Sequence, residues 1–117
     1  MHGFITNFNQ PHYAAWRQQV QNLTDAGVLF VTVSDDVGES VDPPFSVSTP
    51  GRVPAALTVG TSKQNDSIPP YSCRGPVTWE NVIPDHDYPY PPGLIKPDLV
   101  APGEDIKSTQ RDRKSVV

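Results

Sequence analysis

Ala26-Gly27-Val28-Leu29-Phe30-Val31-Thr32-Val33-Ser34-Asp35-Asp36-Val37-Gly38 is the stretch that decides the fold. Residues 28–33 are aliphatic, β-branched or aromatic with no polar alternation. Such a run suits a strand buried on both faces, as in a parallel sheet. Gly27 supplies a left-handed cap for a helix that ends just before it. Upstream, between Tyr13 and Ala26, the apolar residues Trp16, Val20 and Leu23 fall at spacings of four and three, and Ala15 lies near the same stripe. Arg17, Gln18, Gln19 and Gln21 fill the opposite side. The pattern predicts an amphipathic helix, entered through Asn9-Gln10-Pro11, with proline acceptable in a first turn. Helix, one-glycine turn and buried strand together make half of a parallel α/β unit.

Downstream, Ser34 to Val53 reads as loop, broken by Pro43-Pro44 and Pro50-Gly51. Ala55-Ala56-Leu57-Thr58-Val59-Gly60 predicts a second buried strand. Leu99-Val100 and Ile106 are candidates for short strands. The segment between, rich in proline and carrying Tyr71, Trp79, Tyr88 and Tyr90, reads as extended or looped chain. Proline is the compositional outlier at 14 of 117 residues, roughly twice the usual share of about 5%. The expected class is therefore α/β, a Rossmann-like parallel sheet with flanking helices, rich in loops and proline.

The length suits one small domain and not two. Nine basic against thirteen acidic residues give a net charge of −4, which argues against a nucleic-acid partner. No apolar run reaches the roughly 20 residues of a membrane span, and no signal-peptide pattern opens the chain. The single cysteine, Cys73, excludes an internal disulfide. Asn22-Leu23-Thr24 fits a glycosylation sequon, but on a predicted helix it reads as chance. Residues 112–117, Asp-Arg-Lys-Ser-Val-Val, match the translation of a sequencing-adapter string. Residues 111–117 are accordingly expected to be a non-native tail, and 1–110 part of a longer domain.

Four local patterns occur in order: the helix and strand ending in Ser34-Asp35-Asp36-Val37-Gly38; Thr49-Pro50-Gly51-Arg52-Val53-Pro54 leading into the second strand; Tyr71-Ser72-Cys73-Arg74-Gly75-Pro76; and Ile95-Lys96-Pro97-Asp98-Leu99-Val100-Ala101-Pro102-Gly103. This series resembles the second half of the subtilase (subtilisin-like serine protease) catalytic domain over about residues 12–110. Residues 77–93 look like an insertion relative to shorter members. The resemblance implies a partial subtilisin-like fold and peptide-bond hydrolysis through an Asp, His and Ser triad, with a polypeptide as substrate and, for the family, a secreted or extracytoplasmic location. Such chemistry needs a serine oxygen activated by histidine, an acid orienting that histidine, and donors for the oxyanion. The family's three triad motifs are absent here. His2, His12 and His86 read as surface or loop residues and Ser108 as an ordinary strand-end serine. The chain alone is expected to be inactive and, with its sheet uncovered, to fold poorly.

One functional position maps by the resemblance, and it departs from the family pattern. Asp36 takes the place of the asparagine that donates to the oxyanion, and Asp35 replaces the preceding glycine. An ionised carboxylate has no proton to donate. The intact protein is therefore expected to be slow, acid-shifted or inactive. Ser34 and Asp35 are expected to line the wall of the primary specificity pocket, with Gly3 at its other edge. Asp35 either favours a basic substrate side chain or is a solvated loop acid. The resemblance places Thr49-Pro50 where a cis peptide is common. Asp42, the nearest acid to that turn, is a single carboxylate and not a calcium site, so neither a metal nor another cofactor is expected. The proline run at Tyr88-Pro89-Tyr90-Pro91-Pro92 reads as a rigid surface insertion. Two other readings stand beside the peptidase: a degenerate, non-catalytic binding module, and a small all-β carbohydrate-binding domain, which the helix–glycine–strand pattern disfavours.

Overall fold

The computed structural model describes residues 11–36 and 45–109. It contains helix α1 (Pro11–Asp25) and strands β1 (Val31–Val33), β2 (Leu57–Ser62) and β3 (Leu99–Pro102). The strands form one parallel sheet in the order β1-β2-β3. Val33 pairs with Val59, and Val59 in turn pairs with Leu99. The α/β class and the parallel sheet expected from the sequence are present.

The helix buries Tyr13 and Val20 and half-buries Trp16. Leu23 is 38% exposed and Ala15 is exposed. The inward stripe is therefore 13-16-20 rather than 16-20-23, because the helix outruns the chain that covers it. Its end is a Schellman motif. The Val28 N–H donates to Leu23 O at 2.9 Å and the Gly27 N–H to Thr24 O at 3.0 Å, with Gly27 at φ +83°.

The sequence expectation for residues 28–33 needs correction. Only Val31–Val33 is strand, and Leu29 and Val33 are each 67% exposed. β2 begins two residues later than expected, and its buried side is the small, polar one: Thr58, Gly60 and Ser62. The reason is packing. Thr58 Oγ1 donates to Gly51 O at 2.6 Å, and a Cβ on Gly60 would meet Pro97 Cγ at 2.9 Å. Loops press on that face, whereas among the described residues nothing seals the side carrying Val31, Val33 and Leu99. Ile106 is exposed and lies in no strand.

The core lies beside the sheet. Tyr13, Val20, Val53, Ala56, Trp79 and Val82 form one buried cluster. Val47, Cys73 and Val77, with Leu94 against them, form a second. Residues 77–93, read from the sequence as an insertion, supply Trp79 and Val82 to the interior, and an antiparallel bridge between Val77 and Leu94 closes the neck of this segment. Lys96 is buried and locks β2 to β3: its ammonium donates to Ala56 O at 2.6 Å and to Asp98 Oδ2 at 2.7 Å, and the same carboxylate oxygen accepts the Thr58 N–H at 2.7 Å. A buried lysine requires this kind of partnering.

The 78–94 segment is also fastened to α1 by charge. Arg17 makes two 2.6 Å hydrogen bonds to Asp87 and lies 4.9 Å from the Trp79 ring centroid. The Arg17 guanidinium holds the Asp87 carboxyl below its ordinary range. A depressed carboxyl stabilises the fold above its unfolded value, and that contribution fades as pH falls through the lower folded value. Acid unfolding is therefore expected to lose this contribution below about pH 4. Asp87→Asn removes that component of the stability–pH curve, read by circular dichroism between pH 2 and 7. An unchanged curve contradicts the assignment.

Candidate active-site cleft

The three strands end on the same side, and a cleft of about 340 Å³ opens there. Val33, Ser34, Asp35 and Asp36 line it from the end of β1, Val59 and Thr61 from β2, and Tyr71 and Gly103 from loops. The carboxyl ends of parallel strands are where open α/β sheets bind their ligands.

Backbone hydrogen bonds set the geometry of the β1 end. Ser34 is buried, and its N–H donates to Val59 O at 3.0 Å, carrying the ladder one residue past the strand. Its carbonyl accepts the Ser48 N–H at 3.4 Å. The chain then turns through Asp35 at φ +85°, a left-handed conformation that favours glycine. Both Asp35 carboxylate oxygens are engaged: Oδ1 accepts the Asp36 N–H at 2.8 Å and Oδ2 the Ser48 hydroxyl at 2.7 Å. Asp35 is therefore a tethered turn residue and not a freely solvated loop acid. Asp36 follows, exposed at the cleft. Behind this turn the Thr49–Pro50 bond is cis, and Gly51 packs so closely that a Cβ would lie 2.7 Å from Val33 O.

Tyr71 in the cleft wall is bonded to an acid that lies outside the lining. The Tyr71 hydroxyl donates to Glu104 Oε1 at 3.3 Å, and Lys63 Nζ lies 3.8 Å from Glu104 Oε2. Removal from water, then the Glu104 carboxylate with Asp105 and Asp36 further off, push the Tyr71 phenol above its ordinary value. Tyr71 is thus neutral at physiological pH and acts as a hydrogen-bond donor.

The structure brings Ser34, Asp35 and Asp36 together in one cleft; Gly3, Asp42 and His2 lie outside the described residues. His12 and His86 are exposed and do not line the cleft; His86 Nδ1 lies 2.9 Å from Glu80 O. Sequence reasoning missed Ser48, Thr61 and Tyr71 as members or supports of the site. Their hydrogen bonds to Asp35, Ser72 and Glu104 span 13, 11 and 33 positions of chain, and no local pattern marks them. Among the described residues, no three His, Cys, Asp or Glu side chains group where a metal ion would sit. No described helix is long and apolar enough to cross a membrane.

The model of the subtilase family, peptidase S8, matches residues 5–116. No curated protein and no solved structure matches the chain.

Proposed function

Since the chain belongs to the subtilase family of serine peptidases, we propose that it is part of the catalytic domain of a serine endopeptidase acting on polypeptides. In this reading the cleft at the strand ends receives the substrate. Ser34 and Asp35 form one wall of the primary specificity pocket and Gly3 belongs to its other edge. Asp36 stands at the oxyanion-donor position. The triad comes from segments outside residues 1–110, residues 77–93 are an insertion, residues 111–117 are a non-native tail, and the whole protein is secreted.

The conformation of Asp35 carries the reading. Its φ of +85° is the backbone state that a glycine adopts without strain, and the family pattern has glycine at that place. This supports the alignment that puts Asp36 in the position of the oxyanion-binding asparagine.

Reaction with a fluorophosphonate, which captures an activated serine, tests the proposal. The 117-residue chain is expected to remain unlabelled. A longer product of the same gene, carrying a Gly-Thr-Ser-x-Ala motif downstream, is expected to be labelled at that serine. Labelling of the short chain contradicts the proposed origin of the triad. A longer product that binds polypeptides without being labelled is a non-catalytic module instead.

A further inference from the structure

We propose that Ser48 is a positioning residue for the oxyanion side of the cleft, holding the Asp35 carboxylate as a tether that does the work of the missing glycine. The inference rests on the reading of Asp36 as the oxyanion-side residue.

An L residue other than glycine visits the left-handed region reluctantly, and aspartate does so most readily when its short side chain bonds locally. Asp35 meets that condition twice. Its Oδ1 accepts the N–H of the next residue at 2.8 Å, and its Oδ2 accepts the Ser48 hydroxyl at 2.7 Å. The second bond has the short length of a hydroxyl donating to a carboxylate. The Asp35 carbonyl is held as well, by the Cys73 N–H at 3.2 Å.

Ser48 is suited to the task because it is itself fixed. It is 4% exposed, its N–H donates to Ser34 O, and its carbonyl accepts the Arg52 N–H at 3.1 Å. Two residues earlier, the Ser46 N–H donates to Arg74 O at 3.0 Å and its hydroxyl oxygen accepts the Arg74 N–H at 2.7 Å. The hydroxyl of Ser48 thus projects from a pinned segment onto a turn whose next residue, Asp36, faces the cleft. Ser48 acts through Asp35 and touches no substrate.

The test uses the protein with its complete catalytic domain. Amide exchange at Asp36 is measured in the natural sequence. Peptide hydrolysis is measured in the Asp36→Asn background, where residue 36 carries a donor to be positioned. Ser48→Ala is expected to speed exchange of the Asp36 amide roughly tenfold and to lower kcat roughly tenfold, with KM within about twofold. Ser48→Thr, which keeps the hydroxyl, restores both. In an Asp35→Gly background, where glycine takes the turn without a tether, Ser48→Ala has no further effect on kcat. An unchanged Asp36 amide in Ser48→Ala, or an equal loss of kcat with and without Asp35→Gly, overturns the proposal. If the Asp36→Asn protein hydrolyses no peptide, the peptidase reading fails, while the amide measurement still decides the tether.

Discussion

Asp36→Asn, introduced into the protein with its complete catalytic domain, is expected to raise turnover at neutral pH by about 10²–10³-fold, the usual worth of one oxyanion donor. The substitution is nearly isosteric and exchanges an acceptor-only carboxylate for an amide with two N–H donors. In the proposed oxyanion position, a carboxylate would repel the negative charge developing on the substrate oxygen and an amide would stabilise it. Asp36 is exposed, so the exchange disturbs no packing and global stability stays within about 0.5 kcal/mol. Steady-state kcat at neutral pH on a peptide substrate reads the effect. Equal neutral turnover in the two proteins removes Asp36 from the oxyanion position.

The legible and illegible parts of this chain divide by range of interaction. The helix was visible because Trp16 and Val20 repeat at helical spacing, and its end was visible because Gly27 is the residue a Schellman turn wants. The parallel sheet followed from the apolar run after it. Burial did not follow. Val31 and Val33 look like core residues by type, yet whether a strand face is covered depends on distant chain, and here both are exposed. β2 shows the converse: Thr58 and Ser62 are buried, with the Thr58 hydroxyl donating to Gly51 O, Ser72 Oγ accepting the neighbouring Thr61 N–H, and the Gly103 N–H donating to Ser62 O. In the cleft, Ser34, Asp35 and Asp36 were adjacent in sequence and arrived together. Ser48 and Tyr71 joined them through tertiary contacts that no spacing rule encodes. The proline-rich segment was the least readable. Trp79 and Val82 carry no periodicity, because proline-broken chain has none, and so their burial left no pattern.

That burial makes Trp79→Ala the substitution expected to damage the fold most. Trp79 is the largest fully buried side chain, at 2% exposure, and packs among Tyr13, Val20, Val53, Ala56 and Val82. Its indole Nε1–H donates to Arg52 O at 3.0 Å, while Arg52 Nη2 donates to Thr78 O at 3.1 Å. Burial pulls the Arg52 guanidinium down to about 10, against the opposing pull of Tyr13, so it remains cationic at neutral pH. Truncation to alanine empties the centre of this cluster, leaves Arg52 O without its donor, and removes the ring against which Arg17 lies. A buried tryptophan lost in this way costs about 3–5 kcal/mol, a large part of the 5–15 kcal/mol that holds a typical domain together. Trp79→Phe keeps most of the volume and is expected to cost less, chiefly the unmet carbonyl, about 1–3 kcal/mol. Ile83→Ala, four residues along at 69% exposure, is expected to stay within about 0.5 kcal/mol. Urea unfolding followed by tryptophan fluorescence and far-ultraviolet circular dichroism orders the three variants. If the segment merely rode on the surface, Trp79→Ala and Ile83→Ala would behave alike. The hydrogen bonds to Arg52 and the packing on Tyr13 and Val20 require instead that the segment be part of the core against which α1 lies.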